Sequence, residues 1–372
     1  METPDLISPA YWESESVDLR LNPKRPVEAA GLREFLEGEL GLRAVVVLAT
    51  SGSSGSAKFV VLPKAAILAS ARAVNAHCGL ETEDVWLGGL PTFHVGGLGI
   101  YARAFCNGAQ VAAMAWDSWT RDGAAFLRAV DESRATLASL TPTHLWDLVG
   151  AGARCPASLR GVFLGGGRID PALVAEARSL GWPLWPTYGM SETASQVATS
   201  LDGDGEWLPL LPGWEAETDG EGRLRLRGGC LFSGYAFREG GGWRFDPAGN
   251  AEGWFATGDR CELRGGDLRF LSRADGAVKV SGELVSLPML NDRLAAFGIV
   301  GWIVALSGSR RGSELVLVRE EGDREDALER FNAGLPPVER LSREVVVAEL
   351  PRTELGKPDR AGIEALAGAS PE

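Results

Sequence analysis

From Ala30 to about Gly189, short runs of apolar and β-branched residues alternate with helix-like stretches. The runs Arg43–Ala49, Phe59–Leu62, Val85–Leu90, Gln110–Met114, Thr136–Leu140, Gly161–Leu164 and Leu184–Thr187 predict strands. Lys64–Ala76, Ala124–Glu132 and Pro171–Leu180 predict helices between them. This alternation predicts a layered α/β domain around a largely parallel sheet, which holds ligands at the carboxyl ends of its strands. From Gly213 to Leu271 the pattern changes to short β runs between glycine-rich turns, at Arg223–Arg227, Trp243–Phe245, Arg260–Arg264 and Leu268–Leu271, and predicts a smaller, mostly antiparallel region. Beyond Ala274, strands at Ile299–Leu306, Glu314–Arg319 and Glu344–Ala348 mix with helices at Pro288–Ala296 and Arg324–Ala333. The expected fold class is α/β: a large domain of layered α/β subdomains plus a β-rich region over residues 1–273, and a small α+β domain over 274–372.

Composition narrows the chemistry. A formal charge of −13 disfavours nucleic acid or an anionic membrane as the main partner, because the average surface repels both. Cys78, Cys106, Cys155, Cys230 and Cys261 are widely spaced without a Cys-x-x-Cys pair, so reduced, mostly buried thiols are expected rather than a zinc site or disulfides. The N-terminus carries Glu2 and Asp5 instead of a basic leader, and no apolar run approaches the roughly 18 residues of a membrane helix. These features point to the cytoplasm, with no membrane insertion; a homo-oligomer is left open.

Five polar or glycine-rich stretches interrupt the pattern. Thr50-Ser51-Gly52-Ser53-Ser54-Gly55-Ser56-Ala57-Lys58 lies between two β runs and is expected at the carboxyl ends of the strands of the parallel sheet. Glycines let backbone N–H groups close around an anion, and hydroxyls and a lysine add donors, so it fits a phosphate loop; as composition alone it also fits a solvated linker. Tyr188-Gly189-Met190-Ser191-Glu192-Thr193 joins an aromatic ring, a hydroxyl and a carboxylate, or else forms a helix cap with Ser191 as N-cap. Gly165-Gly166-Gly167 ends a strand and admits either a flat ring or a plain turn. Gly253–Asp259 and Pro351–Lys357 read alone as a capped turn and a solvated lysine.

Together, and in their order along the chain, the stretches resemble the motifs of the adenylate-forming superfamily, the acyl-CoA synthetases and their relatives. Ser54, Ala57, Ser191 and Ser272 stand where that family usually has threonine, proline, threonine and glycine. The resemblance implies that Thr50, Ser51, Gly52, Ser53, Ser54, Gly55 and Lys58 grip the β- and γ-phosphates of ATP. It implies that Gly165, Gly166 and Gly167 lie against adenine and that Tyr188 packs on it, with Gly189 and Met190 in the same nucleotide-binding turn. By the same match Ser191 contacts the α-phosphate, Glu192 helps hold Mg²⁺, and Asp259 and Arg273 bind the ribose. Asp275 becomes the hinge of a mobile small domain that delivers Lys357 for adenylation, and Lys279 and Gly282 line a coenzyme A channel after rotation. The family's acyl pocket maps to His94, Gly97, Gly166, Ser195 and Gln196. The phrases FHVGG and YGMSETASQ are most similar to the o-succinylbenzoate-CoA ligases of menaquinone biosynthesis, which implies a small-molecule carboxylic acid, ATP and coenzyme A as substrates. Alternatives are another aryl- or acyl-CoA ligase, a carrier-protein-loading enzyme, or a non-catalytic nucleotide-binding homologue. Relative to the family, the region ahead of the phosphate loop is short.

Overall fold

A computed structural model describes residues 5–24, 26–51, 57–167, 169–203, 205–274, 276–310, 312–321, 326–351 and 359–368. The expectations for Gly52, Ser53, Ser54, Gly55, Asp275 and Lys357 lie outside the described residues. The chain divides into two compact units, Met1–Ser272 and Arg273–Glu372.

In the first unit a six-stranded sheet runs in the order Gln110–Ala113, Val85–Gly88, Leu137–Leu140, Gly161–Leu164, Leu184–Met190, Ser195–Thr199. The first five strands are parallel and the last returns antiparallel. Both faces are covered. Trp86, Leu137, Phe163 and Trp185 pack with residues of the Lys64–Cys78 and Val95–Asn107 helices. The alternate residues Leu87, Ala138, Val162 and Leu184 pack with residues of Ala124–Ser133, Pro142–Gly150 and Pro171–Ser179. Burial on both faces explains why these strands read as continuous apolar runs.

A second, five-stranded sheet orders Val17–Arg20, Val45–Ser51, Ala57–Pro63, Gly234–Glu239 and Gly242–Pro247. It corrects two expectations. The Thr50–Lys58 stretch is not at the carboxyl edge of the parallel sheet: its flanking strands pair antiparallel, with Thr50 opposite Lys58 and Ser51 opposite Ala57. The connection is too short for a parallel crossover, which needs about a dozen residues, so only a hairpin can close it. The Trp243–Phe245 run is not part of the β-rich region either. It pairs with Gly234–Glu239, which in turn pairs with Ala57–Pro63 through Tyr235 opposite Val60. Alternation identifies a strand without identifying its neighbour. The β-rich region proper is a separate sheet, ordered Leu208–Pro209, Asp267–Arg273, Phe255–Arg264, Arg223–Gly228, Trp214–Thr218.

The segment ahead of these sheets is tied down from inside. Lys64 is 1% exposed, and its Nζ donates to the Tyr11 carbonyl (2.7 Å), the Ser14 carbonyl (3.0 Å) and Ser14 Oγ (2.7 Å). Three acceptors match the three donors of an ammonium, which is what a buried lysine requires. Trp12 stacks on Phe105 with ring centroids 6.0 Å apart, adding the segment to the core.

The second unit pairs Ala277–Val280 with Glu283–Ser286 in a hairpin and builds a three-stranded sheet from Gly301–Ser309, Gly312–Glu320 and Arg343–Val347. Ile303, Leu315 and Leu317 face a core that includes Leu290 and Leu294 of the Leu287–Ala296 helix, whereas Val304, Val316 and Val318 pack with Ile363 and Ala367 of Arg360–Gly368. This is an α+β arrangement. Gly282 takes φ +84° at the hairpin turn, with open space where a side chain would project. Among the described residues no helix is long and apolar enough to cross a membrane.

Candidate active site

The Leu184–Met190 strand does not run into a helix, so Ser191 is not a helix cap. It enters a single 3₁₀ turn, Ser191–Thr193, and returns as Ser195–Thr199. Thr193, fully buried, closes the turn: its Oγ1 donates to the Met190 carbonyl (3.0 Å) and accepts from the Met190 N–H (3.1 Å). Ala194 and Ser195 have φ +53° and +119°, unusual for side chains with a Cβ and a mark of a turn held by its surroundings. A Cβ on Gly189 would lie 1.7 Å from the Ser195 carbonyl oxygen, so the register shift beside Gly189 depends on its missing side chain.

This turn gathers residues from distant parts of the chain. Tyr188 donates from its hydroxyl to Asp259 Oδ2 (2.7 Å), joining two motif residues across sheets. Asp259 is 5% exposed, and its N–H is taken by Thr257 Oγ1 (3.1 Å). Phe270 stacks beside Tyr188 at 6.1 Å and 30°, while still 37% exposed. An aromatic platform beside a carboxylate suits a nucleoside: a ring to stack on, and an acceptor for ribose hydroxyls. Glu192 is held twice, its carbonyl by the Phe232 N–H (2.9 Å) and its Oε1 by the Tyr235 hydroxyl (2.7 Å). The Lys58 ammonium sits 5.2 Å from the centre of the Tyr235 ring, and Thr50 Oγ1 donates to the Lys58 carbonyl (3.2 Å). Gly165 follows the neighbouring parallel strand, where a Cβ would meet Thr187 Oγ1 at 2.3 Å; a Cβ on Gly166, at φ +79°, would meet only Thr141 Cγ2, at 3.9 Å.

The predicted acyl residues fare differently. His94 is exposed and caps the Val95–Asn107 helix without a side-chain capping bond. A Cβ on Gly97 would sit 2.2 Å from the Pro91 carbonyl oxygen, so its small size serves the tight entry to the helix. Gln196 is buried, with its Oε1 taken by the Thr199 hydroxyl (2.7 Å). Ser195 Oγ accepts from Arg103 Nη2 at 3.4 Å.

Arg103 was not among the predicted residues. It is 2% exposed, its guanidinium carbon 5.2 Å from each of the Trp86 and Phe163 ring centres. Nη1 has no hydrogen-bond partner, and no described acidic side chain pairs with it. Burial pulls its pKa down to about 10, so it stays protonated at neutral pH. A buried cation lacking an anion is costly unless a ligand supplies one. The sequence held one signal: Arg103 is the single Asp, Glu, Lys or Arg between Asp84 and Asp117.

Among the described residues no group of three or more His, Cys, Asp or Glu side chains converges on a metal-sized site. One carboxylate, Glu192, with an oxygen beyond that bonded to Tyr235, nonetheless fits Mg²⁺, which is commonly held by one or two carboxylates with substrate phosphates and water supplying the rest.

A nucleoside platform next to a carboxylate and a lysine-bearing hairpin suits a nucleotide, and the chain belongs to the AMP-binding enzyme family, whose model matches residues 42–236. The 2-succinylbenzoate–CoA ligase of Salmonella typhimurium is 37% identical over 243 residues, covering 65% of this chain and 50% of the relative. That of Escherichia coli is 34% identical over 274 residues, covering 73% and 57%. Wild-type E. coli MenE with a bound m phenylether-linked analogue of OSB-AMS has a similar fold, with TM-score 0.55 at 28% identity over 86% of this chain and 68% of that one. The chain spans about half the length of the curated relatives it matches.

Proposed function

We propose that the chain is an AMP-forming acid–thiol ligase that activates o-succinylbenzoate and transfers the acyl group to coenzyme A, a step of menaquinone biosynthesis in the cytoplasm. A carboxylate oxygen attacks the α-phosphorus of ATP and pyrophosphate leaves; the coenzyme A thiol then attacks the acyl carbonyl, loses its proton and expels AMP. The observation that carries the substrate is Arg103. A monocarboxylate spends its only charge at the reacting centre, whereas o-succinylbenzoate keeps a second carboxylate to neutralise a buried guanidinium beside Ser195.

The remaining residues take roles consistent with that reading. Tyr188 and Phe270 stack the adenine, Asp259 accepts from the ribose hydroxyls, and the Gly165–Gly167 turn lies along the ring. Thr50 to Lys58 cradles the departing pyrophosphate, and Ser191 and the hinge-borne Lys357 contact the α-phosphate as charge gathers there. Glu192 would hold Mg²⁺, which when bound offsets phosphate charge. Asp275 serves as the hinge and Lys279 and Gly282 line the thiol channel. The test is to supply Mg·ATP and coenzyme A with separate acids and to follow AMP and the thioester by mass spectrometry. Turnover with o-succinylbenzoate is expected; turnover with benzoate alone would move the enzyme to another acid, and absence of pyrophosphate exchange with every acid would leave a nucleotide-binding protein.

A further inference from the structure

The metal carboxylate and the phosphate-loop lysine are connected by a residue outside every motif. Tyr235 stands on the Gly234–Glu239 strand, opposite Val60 of the strand that carries Lys58. Side chains two apart on a strand share a face, so Lys58 and Tyr235 are diagonal neighbours, and the ammonium lies over the ring at 5.2 Å. The hydroxyl donates to Glu192 Oε1 at 2.7 Å. The ring is itself fixed, edge-on to Phe232 with centroids 4.7 Å apart, and Phe232 also binds the Glu192 carbonyl through its N–H. Tyr235 further lines a cavity of about 530 Å³ that reaches Gly258, next to Asp259.

We infer that Tyr235 is a positioning residue for the metal: its hydroxyl occupies one oxygen of Glu192 and turns the other towards Mg²⁺, while its ring keeps Lys58 near the same phosphates. A carboxylate free to rotate would hold two cations, Lys58 and the metal, less selectively; a phenol is neutral, donates one bond and leaves the carboxylate its full charge. The inference rests on the proposed ligase reading, in which Glu192 is the metal carboxylate.

The experiment measures Mn²⁺ binding by electron paramagnetic resonance in the presence of α,β-methylene ATP, on the full chain, for wild type, Tyr235→Phe and Glu192→Gln, with AMP binding by calorimetry without metal as the control. Tyr235→Phe keeps the ring and removes only the hydroxyl. It is expected to weaken Mn²⁺ by about tenfold, in the direction of Glu192→Gln, with AMP affinity and melting temperature unchanged. If Glu192→Gln weakens Mn²⁺ and Tyr235→Phe does not, the positioning role is overturned while the ligase reading stands. If Tyr235→Phe lowers AMP affinity and stability as much as metal affinity, Tyr235 is only a packing residue. If Glu192→Gln has no effect, the metal assignment itself fails.

Discussion

Arg103 carries a penalty in the unliganded protein. Burial draws its pKa from the usual arginine value down to about 10, so the proton leaves the folded chain near pH 10 and the unfolded chain only at the higher, usual value. Stability therefore rises with pH only between those values, where the unfolded chain binds more protons, and at neutral pH the cost of the buried charge is present in full. Arg103→Met should fill the slot between Trp86 and Phe163 without a charge, hold or raise the melting temperature, and raise KM for o-succinylbenzoate by about ten- to a hundredfold with KM for ATP unchanged. A variant that loses stability together with binding would make Arg103 a packing residue. The thiols carry no such tension: burial pushes Cys78 and Cys261 up to about 12 and Cys155 and Cys230 up to about 11, leaving them protonated and inert at neutral pH.

At the level of elements, the turn after Tyr188 is the most constrained piece of the site. Gly189→Ala would force a Cβ against the Ser195 carbonyl and separate the Leu184–Met190 and Ser195–Thr199 strands. The expected cost is about 3 kcal/mol in urea unfolding, with loss of AMP binding; unaltered binding at full stability would show that the turn relaxes freely. Individual strands were legible because apolar runs bounded by glycine and polar residues leave few alternatives, as at Gly161–Leu164, predicted and observed with the same bounds. Sheet membership was not. Trp243 and Phe245 have the period of a strand, yet the partner of that strand is fixed by a hairpin to Gly234–Glu239 and by its docking on Ala57–Pro63. The motifs themselves stand out for the same local reason, and the structure brings Tyr188 and Asp259 of two of them into contact. Phe270, Arg103 and Tyr235 were not legible, because each matters through a neighbour 43 or more positions away, a relation no local window contains.

On the scale of the whole molecule, the proposed reaction divides its labour between two units. Lys357→Ala is expected to abolish acyl-adenylate formation while sparing thioester formation from supplied acyl-adenylate, and equal loss of both in half-reaction assays would contradict a small domain that serves each half separately. In the proposed reaction, the Arg103 guanidinium would also set a limit on speed. The acyl-adenylate and the thioester both retain the carboxylate that Arg103 would neutralise, so its attraction is nearly constant from substrate to product. Such uniform binding lowers KM without lowering the chemical barrier. In the proposed reaction, a core that recruits the acid through this guanidinium would surrender the same anion, uncompensated, at the end of every cycle, so slow departure of the thioester and inhibition by added product are the expected outcomes in steady-state kinetics.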